Sequence, residues 1–575
     1  MFTGKNKSLL LNMHTTIIKI SFYILLLIFH ASRLLAQSTY EPTYNKEIYT
    51  FLDKQAEKGI ISFFDDIRPI SRIKIAEKLK QLDNLAIQQF NNSTINLSSI
   101  EHDQLEFFKK EYAFEINFIK NDTTKIDEFF KFGINDRFNA YKYYDKNFTF
   151  DIDPIFQMKY DMVQENYMQF GGIKFKGRIS DFVGFYFSYR DFMEEGKNID
   201  VYKNFTPTTG VKNHRATLNE HSEYSETRGG ITLGWKWGNF TFAKDWLNIG
   251  TSYQSSVILS DKVPSFPHIR LEIEPVSWFK YNFVHAWLDS QLIDSTTIRY
   301  SGVNSEVLDV SKNYSRRFKY YVSHTFSFQP YNNWWLTFGE SIIYGDRLEP
   351  IYFIPLFLRL ADHYNSLGTG DTGDNAQIFL NTSYRSIATK SKFYLTLFID
   401  EFSPGDILGG GDNAQVFAIT IGTSGTNPFW KDSYYTIEYS ALRPYNYMNA
   451  DPLQQYTSSN YQLGHWIGTN AQQLYFSYEQ FLSRSIKLKT YFQTIQKGSK
   501  EDINNYYNRV TSTYPLLSGD VSDYSEIGLS VSYNPYHDFF LELDYSYIIN
   551  STGRFVDEYS KEKGHYLATS IRYGF

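Results

Sequence analysis

Cysteine is missing from all 575 residues, so the chain can hold no disulfide, no thiolate metal centre and no Cys-attached lipid anchor. After the first 36 positions it also lacks any apolar run of the ~20 residues that a spanning helix needs. Whatever crosses a membrane here must therefore do so as strands. Catalytic signatures are missing as well: there is no HExxH and no GxSxG, and the 12 His residues never fall at metal-ligand spacing. A net charge of −6 argues against a general nucleic-acid binder. The expectation is a protein that is not an enzyme, needs no cofactor and takes no nucleic-acid partner.

What the chain has in excess is ring surface, 47 Tyr and 49 Phe, beside a mean hydropathy of only −0.40. A soluble core has no room for so many rings among so many polar residues. Aromatic girdles at two membrane interfaces around a polar lumen would use both. The first residues read as a secretory signal peptide, 1–36: Lys5, Lys7 and Lys19 precede an apolar core at 20–29, and Ala36 is the expected last residue before cleavage.

Residues 37–111 carry helical spacing. Ile48, Phe51 and Leu52 recur on one face, Ser71 is placed to cap a helix bearing Ile75, Leu79 and Leu82, and Ser98 with Glu101 forms a capping box before Leu105 and Phe108. A small periplasmic helical segment is expected, which plugs or steadies the strands C-terminal to it.

From about Tyr112 the period changes to two, and residues 112–575 read as one transmembrane β-barrel. Phe148, Phe150, Ile152, Phe156, Met158 and Tyr160 alternate with Thr149, Asp151, Asp153, Gln157 and Lys159. At the end, Leu567, Thr569, Ile571 and Tyr573 alternate with Ala568, Ser570, Arg572 and Gly574, which suits a closing seam between lipid and water. Connections alternate in length. Long ones near 194–223, 249–266, 289–314, 345–375, 402–413, 444–472, 498–523 and 550–562 are separated by tight turns such as Ser180-Asp181, Gly238-Asn239 and Asn534-Pro535. That is an outer-membrane barrel of about 18 to 20 strands, with both termini on the short-turn, periplasmic side. A propeller or β-helix would not explain the alternation.

Three constellations bear on function. Residues 368–373 spell a formal GxGxxG, but a strand follows where a nucleotide site needs a helix, so a loop is expected. Gly373-Asp374-Asn375-Ala376-Gln377-Ile378-Phe379 is echoed by Gly411-Asp412-Asn413-Ala414-Gln415-Val416-Phe417, each where a long loop descends into a strand. Asp and Asn can close turns there; the other reading is that Asp371, Asp374 and Asp412 meet a cation or sugar hydroxyls. Flat rings beside planar polar groups suit sugar stacking, which singles out Tyr364 and the loop holding Tyr445, Tyr447, Tyr461 and Trp466. Rings at a membrane rim also serve as girdle.

Scattered blocks carry a family resemblance: Tyr49 to Ile60, Ile67-Arg68-Pro69-Ile70-Ser71-Arg72, Leu259-Ser260 to Ser265-Phe266-Pro267, His285-Ala-Trp287-Leu-Asp-Ser290, Gly339-Glu340-Ser341 to Arg347, and Asp400-Glu401-Phe402. Together they resemble the Wzi capsule-assembly family, in a Bacteroidetes-type version. The resemblance implies an outer-membrane barrel of about 18 strands with a helical bundle, acting as a lectin for capsular or exopolysaccharide. The expected partners are outer-membrane lipid and surface polysaccharide, and a monomer is expected. A porin for small solutes is the alternative, since so wide a barrel can hold an aqueous channel; a surface hydrolase using loop carboxylates is the third reading.

Overall fold

The computed structural model describes residues 39–574 apart from 90–96, 121–124, 132–137, 197–198, 200–202, 213–220, 302–310, 355–373, 402–415, 500–514 and 558–560. The signal-peptide reading at 1–36 falls outside the described residues.

Eighteen antiparallel strands close into a transmembrane barrel, from Phe148–Asp161 to Gly564–Tyr573. The seam lies where the terminal alternation placed it: Ile571 pairs with Met158, Ser570 with Lys159 and Thr569 with Tyr160. The wall is inside-out relative to a soluble protein. Along Asn375–Ser386, the lumen-facing Gln377, Asn381, Ser383 and Arg385 are buried, while Ile378, Leu380 and Tyr384 stand exposed on the outer face. Apolar side chains meet hydrocarbon outside, and polar side chains find partners inside. Rings crowd the short-turn rim, where Trp278, Tyr331, Phe429 and Trp430 are exposed at an aromatic belt. Beyond the end of the last strand, a hairpin of Ile126–Lys131 and Asn139–Tyr144 continues the ring by pairing Tyr141 with Ile152 and Tyr143 with Phe150.

Among the described residues four helices precede the wall: α1, Lys46–Glu57; α2, Arg72–Gln89; α3, Ser99–Glu111; and α4, Ala113–Ile119. The expected apolar faces meet in one core of Ile48, Phe51, Leu52, Ile75, Leu79, Leu82, Leu105 and Phe108. The Ser98–Glu101 capping box forms in both directions. Ser71 precedes α2, but its hydroxyl makes no hydrogen bond; the Arg72 amide instead donates to the Thr39 carbonyl at 2.9 Å. Helix α4 departs from the sequence reading, which had strands beginning at Tyr112. Phe114, Ile116 and Phe118 mimic a period of two, yet Glu115 is drawn to the Arg72 guanidinium at 2.7 Å, and only a helical turn puts it beside Ile116 in this core. Arg72 also reaches Glu41 and Glu111 and lies 4.2 Å from the Tyr112 ring centre, which ties the bundle together.

The helices sit in the lumen at the short-turn end. Lys74 bonds Glu272 at 2.7 Å, Glu57 accepts from Ser424 at 2.7 Å and from Tyr434 at 3.1 Å, Ser98 meets Asp432, and Phe107 stacks on His537 with ring centres 3.8 Å apart. Asp65, in the α1–α2 connection, forms an ion pair with Arg385 at 2.8 Å and accepts a hydrogen bond from Lys392 at 3.0 Å. The expectation that the helices plug the barrel holds.

Candidate functional site

A second plug enters from the long-loop end. The connection 246–265 carries Leu247, Ile249, Val257, Ile258, Leu259 and Val263, all essentially inaccessible to solvent. So apolar a loop is costly to leave in water, and it folds into the lumen. There Asn248–Ile249 pairs as a short strand with Ile67–Arg68, which belongs to the helical segment. The Gly250 amide donates to the Asp66 carbonyl at 2.7 Å. Gly250 holds φ +115, and a Cβ there would meet Ser256 Oγ at 2.5 Å, so glycine is required on both counts.

The connection 443–470 closes over this loop. Tyr447 and Tyr456 donate their hydroxyls to the carbonyls of Val257 and Ile258, at 2.5 and 2.9 Å. Tyr461 donates to the Val211 carbonyl at 2.8 Å. Trp466 packs on Phe205 with ring centres 4.9 Å apart. Tyr445 and Tyr447 adopt φ of 68 and 74, a left-handed backbone that non-glycine residues hold only when the surrounding packing imposes it. His465 lies wholly inside; burial, reinforced by Lys262, pushes its imidazole down to about 3.

The residues that the sequence put forward for ligand contact are thus dispersed. Tyr445, Tyr447, Tyr461 and Trp466 are 2 %, 1 %, 3 % and 2 % exposed, and in this structure their rings pack the loop plug; they do not lie open at the surface. Asp374 is half-buried and accepts a hydrogen bond from Tyr352. Tyr364, Asp371 and Asp412, like the 368–373 glycine motif, lie outside the described residues. Strands begin at Asn375 within the first repeat copy and at Val416 within the second, whose residues 411–415 lie outside the described residues.

A rim that the sequence reading passed over is better placed to meet a ligand. Asp289 accepts from Arg316 at 2.7 and 2.8 Å, from the Gln291 side-chain Nε2 at 2.7 Å and from Ser459 at 3.2 Å, and it also pairs with Lys212. It thereby gathers four segments at the long-loop mouth. Next to it, Arg317 forks onto Asp346, and Arg347 extends into solvent. The rings of Tyr314 and Phe318 stand exposed on either side of this arginine pair. The run Tyr314-Ser-Arg-Arg-Phe318 was the available signal: two guanidinium forks flanked by two rings. Among the described residues no group of three or more His, Asp or Glu could hold a metal ion.

Among solved structures, the chain matches Wzi of Escherichia coli, an outer-membrane protein described as involved in Group 1 capsule assembly and as a carbohydrate-binding β-barrel. The match has a TM-score of 0.56 at 12 % identity and covers 94 % of this chain and 99 % of that one. This chain shares the Wzi fold. The likeness to Wzi extends beyond the wall, which begins only at Phe148, into the helical segment. OccAB2 and OccAB1 of Acinetobacter baumannii match with TM-scores of 0.41 and 0.40 at 12 % and 10 % identity, over 74 % of this chain and 97 % and 96 % of theirs. No family model and no curated protein matches in sequence.

Proposed function

We propose that this protein is an outer-membrane barrel that binds capsular or exopolysaccharide at its long-loop rim and helps to attach or assemble it at the cell surface. The observation that carries the reading is the filled lumen. Helices enter from one end and two loops from the other, and side chains at mid-wall such as Thr337, Asn381 and Thr396 are sealed from solvent. A wall of this size built to pass solutes would keep its centre wet. Here the interior is spent on holding the long-loop rim in place, as a binding platform requires.

The Wzi likeness supports the same reading, because that protein is described as carbohydrate-binding. In this orientation the helices and both ends of the wall face the periplasm and the Arg316, Arg317 and Arg347 rim faces outward. Guanidinium forks bond sugar hydroxyls or carboxylates, and the adjoining Tyr314 and Phe318 rings offer faces for stacking. Asp371, Asp374 and Asp412 are proposed to add acceptors for hydroxyls. Outer-membrane lipid surrounds a single copy.

The test is retention of surface polysaccharide by cells with and without the gene, with an Arg316→Ala/Arg317→Ala double variant as the third strain. Loss of cell-bound polysaccharide without the gene, and a partial loss in the variant, are expected. Equal retention in all three would overturn the reading. In a planar bilayer the purified protein should show no steady open level; a stable conductance would favour the porin.

A further inference from the structure

At the short-turn end a cleft of about 400 Å³ runs between α2 and the wall. A buried water needs roughly 15 Å³ on this scale, and small-molecule sites occupy roughly 300–1,000 Å³, so the cleft has room for a ligand and not only for water. Helix α2 lines it with Glu77, Lys78 and Gln81, the wall with Glu274 and Lys280, and the α1–α2 connection with Phe63, Phe64 and Ile70. Ser62, Ser277 and Asn332, which are exposed, border its mouth.

The charges in the cleft balance: Lys74, Lys78 and Lys280 stand against Glu77, Glu272 and Glu274. Lys74 is committed to Glu272 at 2.7 Å and to Glu274, and Lys280 lies 3.3 Å from Glu272. These pairs tie the helical plug to the wall and leave no net charge to draw an ion. The next turn of α2 is uncommitted. Glu77, Lys78 and Gln81 share a helix face with Lys74, yet among the described residues they make no ion pair and no hydrogen bond. They are not in open water either, since burial raises the Glu77 carboxyl and lowers the Lys78 amine from their ordinary values. An acceptor, a donor and a planar amide, partly stripped of water, thus face the opposite wall with nothing bonded to them.

Balanced charge, spare donors and acceptors and an apolar corner together select an uncharged ligand rich in hydroxyls and amides. A carboxylate such as Glu77 accepts from neighbouring sugar hydroxyls, and Gln81 and Asn332 can each give and take a bond in the plane of an acetamido group. The half-buried Phe63 ring offers a surface for the acetamido methyl. Gln329 donates to Ser62 at 3.2 Å and to the Asn332 carbonyl at 2.8 Å, which holds the lip of the cleft in shape.

We propose that this cleft binds a short run of uncharged N-acetylated sugar. With the helices facing the periplasm, that sugar is reached from the periplasm, at the opposite mouth from Arg316 and Arg317. The two sites share no residue, so this one stands whether or not the outer rim binds polysaccharide.

The test uses the full chain purified in a polyoxyethylene detergent, which carries no sugar, and titrated by calorimetry with tetra-N-acetylchitotetraose, maltotetraose and tetraalanine in turn. Saturable binding of the acetylated sugar is expected, with maltotetraose at least about tenfold weaker because it lacks the acetamido bonds and methyl contact. Ser277→Trp, at an exposed turn position, should fill the mouth and abolish binding. Gln81→Ala, on the helix surface, should weaken it severalfold and serves if Ser277→Trp does not fold. The Arg316→Ala/Arg317→Ala variant should bind as wild type, so that failure at the rim and failure at the cleft are read separately. Absence of saturable binding by wild type overturns the proposal, as do equal binding of maltotetraose, tighter binding of the peptide, or undiminished binding by both Ser277→Trp and Gln81→Ala.

Discussion

The two plugs fill one lumen by opposite means. The helical plug is fastened to the wall by ions and hydroxyls: Asp65 to Arg385 and Lys392, Asp66 to Ser327 and Thr337, Lys74 to Glu272. The loop plug is fastened by apolar packing, with Val257, Ile258, Tyr447, Tyr456 and Trp466 in one cluster with Phe379 and Phe398 of the wall. The same two wall strands serve both. Asn375–Ser386 offers Phe379 to the loops and Arg385 to the helices, and Ser391–Glu401 offers Phe398 and Lys392. Lumen-facing residues thus change character along a strand according to which plug they meet. The ionic half specifies position, because each buried charge tolerates one partner geometry, while the apolar half supplies cohesion.

That contrast can be broken most severely from the ionic side. Asp65→Asn leaves Arg385 and Lys392 buried without their counter-charge and should destabilise the protein by about 3–5 kcal/mol, read as the urea midpoint of the detergent-solubilised barrel. Ile258→Ala, in the apolar half, should cost about 2–4 kcal/mol through lost burial and a residual cavity. Amide exchange would then show early opening confined to 246–265 and 443–470, with α1 to α4 still protected. If Ile258→Ala opened the helices equally, the plugs would be one unit.

The third test separates the plugs by pH. His465 sits neutral in the loop plug, held down to about 3 by burial. Its contribution is present above its ordinary value near 6.5 and lost as pH falls, by about 2 kcal/mol at pH 5. Glu57, in the helical plug, is pushed up to about 7 by burial. Its contribution is present below the ordinary carboxylate value and lost as pH rises through about 7. Between about pH 4.5 and 7, falling pH should loosen the loops and rising pH the helices, seen as exchange rates in the two regions moving in opposite directions. His465→Gln should flatten the acid limb alone.

The wall was legible because its solvent changes sign at every second residue, and that pattern survives in the sequence from Phe148 to Tyr573. The capping box and helical core were legible because they are local. The loop plug was not. The stretch 249–266 read only as a long connection, and only pairing with Ile67, far away in sequence, shows that it belongs inside. Tyr447 and Trp466 looked like stacking platforms because a ring in a loop carries no mark of which way the loop turns. Helix α4 was misread for a related reason: Ala113–Ile119 satisfies both periods, and the deciding partner, Arg72, lies in another element.

The short pairing of Ile67–Arg68 with Asn248–Ile249 constrains how the molecule is put together. It joins a segment made before the wall to a loop hung between Gly238–Asp245 and Phe266–Val276, inside a ring sealed by its first and last strands. The helices must be enclosed as the ring zips shut, or threaded through its short-turn mouth afterwards. These two pairs of residues meet only once the helical segment lies against the loop between those strands, so their contact marks the joining of the two plugs. Because the chain carries no native thiol, cysteines introduced at Ile67 and Ile249 would make that moment visible as a crosslink.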